Sequence, residues 1–125
     1  MKIFFDVDGT VLHSDGDGWT LRPGVVEVFA ALKEMGHLVY LWTATGELHA
    51  RRLVERYGLD DLVVDCFDKD PVTAPVLPDV VVDDDPYLVE KYTGVHVQPF
   101  QGADPNDREL YKVLRYFESE QGTDE

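Results

Sequence analysis

IFFDVDGT, residues 3–10, is an apolar run that ends in two carboxylates and a glycine, and it decides the fold of this chain. An apolar run bounded by glycine is typical of a buried strand. Because side chains alternate along a strand, Asp6 and Asp8 point to the same side. Two neighbouring carboxylates repel each other and lose hydration, so the pair needs a cation or a shared proton. The stretch therefore predicts a buried strand that ends in a charged site.

Strand and helix patterns alternate along the rest of the chain. Further strands are predicted at 37–43, 62–66, 80–82 and 95–98, and helices at 23–35, 47–57, 87–92 and from Asp104-Pro105 to Phe117. Residues 11–20 are predicted as a loop or flap, and their DGDG run does not follow the pattern of a calcium-binding loop. This alternation favours an α/β fold, with a Rossmann-like parallel sheet and helices on both faces.

The length and composition fit one small domain. Residues 1–118 are predicted to form it, and the polar segment 119–125 is predicted to be a disordered tail. We find no apolar run of transmembrane length and no signal-peptide pattern, and Cys66 is the only cysteine. Cys66 is expected to be a small buried side chain. The sequence thus predicts a cytoplasmic protein with no membrane partner.

The chain is strongly acidic, with a formal net charge of −14. Such a field repels nucleic acid backbones and anionic membranes. The basic doublet Arg51-Arg52 is too small to follow a phosphate backbone. No nucleic acid partner is therefore expected.

Three predicted strands end in side chains that carry chemistry, and in a parallel sheet those ends lie along one edge. Carboxylates from two strands suit Mg²⁺, which would relieve their repulsion. A threonine hydroxyl and a lysine suit the oxygens of a phosphoryl group. One carboxylate could attack as a nucleophile, and the other could move protons. The residues concerned are Asp6, Asp8, Thr43, Thr45, Lys69, Asp83 and Asp84.

These motifs resemble those of the haloacid dehalogenase superfamily. DVDGT at 6–10 resembles the first signature motif, and LWT at 41–43 the second. Lys69 is similar to the third motif, and VVVDD at 80–84 to the acidic fourth. DDDP at 83–86 and TAT at 43–45 resemble the carboxyl-terminal-domain phosphatase branch. The resemblance extends to about Phe117.

The resemblance implies a role for each matched residue in a Mg²⁺-dependent phosphatase. Asp6 would be the nucleophile and a metal ligand, and Asp8 the general acid/base with its backbone carbonyl on the metal. Asp84 would bind Mg²⁺, with Asp83 as a second ligand or behind it. Phosphate contacts would come from Gly9, Thr43, Ala44 and Lys69, and Lys69 would also neutralise charge on Asp6.

Two further expectations concern the substrate. Only about a dozen residues separate Thr10 from the first helix, so the chain resembles capless members of the family. That implies a bulky phosphorylated substrate, such as a phosphorylated macromolecule, or a phosphorylated small molecule enclosed by a homo-oligomer. A phosphotransferase such as a phosphomutase, and a non-catalytic phosphoryl-binding regulatory module, stay open as alternatives.

Several polar side chains have a structural interpretation from sequence alone. Thr45 is predicted to cap the following helix, and Arg22 to lie on the surface at a helix start. His13, His49 and Trp19 could line the substrate entrance, but a surface or core role is favoured for each. Lys69, between two aspartates, could also be a surface lysine.

Overall fold

A computed structural model describes residues 1–16 and 18–122, with side chains described up to residue 119. The strands are β1 (Lys2–Asp6), β2 (Leu12–Asp15), β3 (Gly18–Leu21), β4 (Leu38–Thr43), β5 (Asp65–Asp68), β6 (Val80–Asp83) and β7 (Gly94–His96). The helices are α1 (Val25–Glu34), α2 (Glu47–Tyr57), α3 (Pro86–Tyr92) and α4 (Tyr111–Gly122).

Five strands form one parallel sheet in the order β5-β4-β1-β6-β7. The strand β1 lies at its centre and pairs with β4 on one side and with β6 on the other. Its side chains Ile3, Phe4 and Phe5 are fully buried, as in a strand whose two faces are both covered. The order of connection reverses between β1 and β6, the place where open α/β sheets bind ligands. The predicted α/β class with a central parallel sheet is confirmed.

Helices cover both faces of this sheet unequally. A large apolar core on one face joins β1 and β4 to α1, α2 and α4, through side chains such as Phe5, Phe29 and Leu53. The other face carries a smaller aromatic cluster around Phe4 and Trp42, next to α3 and the segment before β6. Among the described residues, no helix combines the length and apolar character that crossing a bilayer requires.

The helix α2 has the predicted bounds and ends at Gly58, which adopts the left-handed conformation expected of a C-terminal glycine. Cys66 is buried, as predicted, and this burial raises the pKa of its thiol to about 11. The bounds of α2 follow from the local sequence pattern, and the raised pKa of Cys66 follows from its burial.

Three sequence predictions need correction. The segment 11–20 is not a loop, because β2 and β3 pair as an antiparallel hairpin. The strand predicted at 62–66 lies at Asp65–Asp68, since the amides of Leu62 and Val63 bond back to Leu59 in a turn.

The third correction concerns the last helix, which begins at Tyr111 rather than at Asp104-Pro105. Asp104 accepts a hydrogen bond from the amide of Asn106, a local turn that has the same sequence signature as a helix cap. The helix also continues to Gly122, into the segment predicted as a disordered tail, and residues 123–125 lie outside the described part.

Candidate functional site

Asp6 lies at the carboxyl end of the central strand, and its side chain is 9% exposed. The Thr10 hydroxyl donates to its Oδ2 at 3.1 Å, and Lys69 Nζ lies 3.0 Å from its Oδ1. Burial raises the pKa of Asp6 to about 7, Asp83 adds to the rise, and Lys69 opposes it. Asp6 is thus a buried carboxyl whose charge needs further neutralisation.

Lys69 reaches this site from the loop after β5. Its backbone amide donates to the Thr43 carbonyl at 3.0 Å, which ties the loop to the end of β4. Its ammonium contacts Asp6 and lies 2.6 Å from Oδ2 of Asp83. Burial alone would lower the pKa of Lys69, but the two carboxylates outweigh it and raise the pKa. The structure therefore places Lys69 inside the site and not on the surface.

Three carboxylates converge beside this lysine. One oxygen from each of Asp6, Asp83 and Asp84 lies within 4.8 Å of the others. Burial raises the pKa of Asp83 as well, so one ammonium does not offset the charge of the cluster. A hard divalent cation such as Mg²⁺ prefers carboxylate oxygens, and the donor set fits one. The side chain of Asp8 is outside this group of three.

Asp83 and Asp84 differ in how free their carboxylates are to bind a ligand. Asp83 is fully buried, contacts Lys69 through one oxygen, and accepts the Asp85 amide at 3.0 Å through the other. Asp84 is half-buried and faces Gly9. Asp84 is therefore the carboxylate with more freedom to take a ligand.

Gly9 makes room for Asp84. A Cβ at this position would lie 2.5 Å from Oδ2 of Asp84, and the backbone φ of 86° is left-handed. Its amide donates to the Leu12 carbonyl at 2.8 Å. Gly9 thus contributes by close approach to Asp84, and its N–H is already bonded to Leu12.

Thr43 ends β4 next to the cluster, and Ala44 follows it. The buried Thr43 hydroxyl accepts the Thr45 amide at 3.1 Å, which leaves its own proton free to donate. Ala44 is exposed, and in the described part of the chain its amide has no hydrogen-bond partner. Both groups are suitable donors to an anion.

Asp8 is held by side chains that sequence reasoning assigned elsewhere. Thr45 Oγ1 donates to Oδ2 at 3.0 Å, and His49 Nε2 lies 3.1 Å from Oδ1. Ser14, from the hairpin, donates to Oδ1 at 3.4 Å. Thr45 does not cap α2, whose first residue is preceded by Gly46 with no side-chain cap. The prediction for Thr45 was wrong, and His49 belongs to the site.

The prediction that Arg22 lies on the surface is also wrong. Arg22 is 1% exposed and contacts the backbone of the loop after β1. It forms a bidentate pair with Asp107, in which Nε donates to Oδ1 at 2.9 Å and Nη2 to Oδ2 at 3.0 Å. It donates as well to the carbonyls of Gly9, Thr10 and Gln98. Arg22 therefore fixes the backbone that carries Asp8 and Gly9.

The site thus holds an acidic cluster, an ammonium group and a buried hydroxyl, which come from the carboxyl ends of β1, β4 and β6 and from the loop after β5. The acidic cluster suits a cation, and the ammonium group and the hydroxyl suit the oxygens of an anion. Asp6 and Asp8 are bound by different side chains, so the two carboxyl groups have different surroundings. Among known proteins, no family model matches this chain and no curated protein matches it in sequence.

Proposed function

We propose that this chain is a Mg²⁺-dependent phosphomonoesterase, a capless phosphatase of the haloacid dehalogenase type that works through an aspartyl-phosphate on Asp6. The observation that carries this proposal is the contact of Lys69 with both Asp6 and Asp83 at the switch point of the sheet. That contact joins residues of the first, third and fourth sequence motifs, and the Lys69 amide links them to the second through the Thr43 carbonyl. The proposed location is cytoplasmic, and the proposed substrate is a phosphorylated small molecule or macromolecule.

The chain's own residues divide the reaction between them. An oxygen of Asp6 attacks phosphorus, and the bond to the leaving oxygen breaks as Asp8 gives that oxygen a proton. Asp8 then takes a proton from water, which attacks the aspartyl-phosphate and releases phosphate with Asp6 restored. Lys69 and Thr43 stabilise the phosphoryl oxygens throughout.

Asp6, Asp84 and Asp83 would hold Mg²⁺, together with the backbone carbonyl of Asp8. When bound, Mg²⁺ supplies positive charge beside Asp6 and the phosphoryl group. The raised pKa of Asp6 supports this assignment, because a carboxyl that titrates at about 7 needs a further cation to stay ionised at neutral pH.

Gly9→Ala is expected to weaken Mg²⁺ binding by about 10-fold or more, because the new methyl group would displace Asp84. Titration calorimetry with MgCl₂ measures this. Gly36→Ala is the matched control, since Gly36 also has a left-handed φ of 89° but has open space around it. Equal Mg²⁺ affinity of the two variants would contradict the role given to Asp84.

The function is tested with a panel of phosphomonoesters assayed with Mg²⁺ and with a chelator. The proposal predicts phosphate release from members of the panel that requires Mg²⁺. If Mg²⁺ binds but no ester is hydrolysed, the chain is a phosphoryl-binding module and the proposed activity is wrong. A transfer of phosphate between positions of one substrate, without release, would indicate a mutase instead.

A further inference from the structure

The carboxylate of Asp8 receives more support than its exposure would suggest. Its side chain is 39% exposed, against 9% for that of Asp6. An exposed carboxylate ordinarily exchanges between rotamers in water. Here side chains from three separate segments contact it: Ser14 of β2, Thr45 after β4 and His49 of α2.

His49 is the least exposed of these three residues. Its side chain is 16% exposed, and its ring stands edge-to-face with that of Trp19, at 5.2 Å between centroids and 84° between planes. Trp19 is itself fixed, since the Arg56 guanidinium lies 5.0 Å from its ring centroid and the Tyr57 hydroxyl donates to its carbonyl at 3.5 Å. The hairpin and α2 together therefore determine where His49 Nε2 lies.

We propose that His49 is a positioning residue that holds the Asp8 carboxyl group for proton transfer to the leaving oxygen, and that Trp19 holds His49 in turn. This inference rests on the proposed phosphatase function and extends it to residues outside the four motifs. A general acid must come within about 3 Å of the oxygen that it protonates. A displacement of about 1 Å costs about 10²-fold in rate.

The geometry separates this task from the chemistry at Asp6. Asp6 is bound by Thr10 and Lys69, and Asp8 by Ser14, Thr45 and His49, with no side chain common to both sets. Loss of His49 should therefore leave the attack by Asp6 intact. It should impair only the steps in which Asp8 moves a proton.

His49→Ala and His49→Gln form the test pair, with His49→Asn as the matched control. The amide nitrogen of glutamine can take the place of Nε2, whereas that of asparagine reaches only as far as Nδ1. Each variant is assayed on an alkyl phosphate, whose leaving group needs a proton, and on p-nitrophenyl phosphate, whose leaving group departs as a stable anion.

On the alkyl phosphate, we expect His49→Ala and His49→Asn to lower kcat/KM by about 10²-fold. Their kcat/KM on p-nitrophenyl phosphate should fall much less, because kcat/KM reports the steps up to departure of the leaving group, and His49→Gln should recover most of the loss on the alkyl ester. An equal loss of kcat/KM on both esters indicates a structural role and overturns the proposal, as does wild-type kcat/KM on the alkyl phosphate in His49→Ala.

Crystal structures of His49→Ala and His49→Gln give a readout that does not depend on activity. The Asp8 carboxyl group should move by about 1 Å or lose a single position in the first variant and stay in place in the second. If Asp8 is unmoved in His49→Ala, the positioning role is wrong. If the wild-type protein hydrolyses neither ester, the phosphatase proposal fails, and the position of Asp8 in these two structures still decides whether His49 supports it.

Discussion

Asp107→Asn is expected to lower the free energy of unfolding by about 3–5 kcal/mol, because it removes the charge partner of the buried Arg22. The guanidinium would remain in place with three backbone carbonyls as its acceptors and no carboxylate. Since domains of this size are stable by about 5–15 kcal/mol, such a loss is a large part of the total.

The same pair makes the stability depend on pH. Burial alone would raise the pKa of Asp107, but the hydrogen bonds from Arg22 outweigh it and hold the pKa below its usual value. A carboxyl with a lowered pKa in the folded state stabilises the protein above its unfolded pKa of about 4, and this contribution is lost as pH falls through the folded pKa. The difference between wild type and Asp107→Asn should therefore shrink below about pH 4.

Urea unfolding at neutral pH and at about pH 3 measures both effects. Asp79→Asn is the control, because Asp79 pairs with Lys2 at the surface, where an ion pair is worth about 1 kcal/mol or less. If Asp107→Asn unfolds at the same urea concentration as Asp79→Asn, the Arg22 pair does not stabilise the fold as we argue.

Lys69→Met is expected to lower kcat by about 10²–10³-fold, the loss typical when one donor to a reacting oxyanion is removed. The variant would also leave Asp6 and Asp83 without their ammonium partner, so the pKa of Asp6 should rise further. Phosphate release from the best substrate of the panel measures the rate, and circular dichroism checks the fold.

Lys2→Met is the matched control, since Lys2 also lies near a carboxylate but at the surface. It should keep wild-type kcat. A folded Lys69→Met variant with wild-type kcat would mean that Lys69 contacts the carboxylates without taking part in the reaction.

The features predictable from the sequence are those set by neighbours along the chain. The helix α2 has an apolar stripe and a closing glycine, so both of its ends could be placed. The apolar residues Ile3, Phe4 and Phe5 before Asp6 form a short buried strand, so the place of Asp6 at the strand end could be predicted. The convergence of Asp6, Thr43, Asp83 and Asp84 then follows from the parallel sheet, which brings strand ends to one edge.

The features that sequence reasoning missed depend on partners far along the chain. Asp107 pairs with Arg22, which lies 85 residues earlier in the chain, and the Glu109 side chain accepts a hydrogen bond from the Gln98 amide. These contacts keep the segment before Tyr111 out of the helix that a local signal predicts. No local pattern marks Arg22 as buried.

His49 and Thr45 were missed for a similar reason. Each lies at a position that suits an exposed helix start, and their partner Asp8 is about 40 residues earlier, at 3.1 and 3.0 Å. His49 lies in the first turn of α2, which follows β4, so it lies near the same end of the sheet as Thr43. This position could be predicted from the sequence, but its significance depends on the position of the hairpin next to it.

Mass spectrometry of the acid-quenched protein tests most directly whether Asp6 is the nucleophile. In Asp8→Asn, attack by Asp6 on p-nitrophenyl phosphate should continue while hydrolysis of the intermediate slows, so the protein should gain the mass of one phosphoryl group, on the peptide that contains Asp6. The variant Asp6→Asn should gain none and should release no phosphate while keeping its fold. Wild-type turnover in Asp6→Asn, or a phosphoryl group on another residue, would contradict the account.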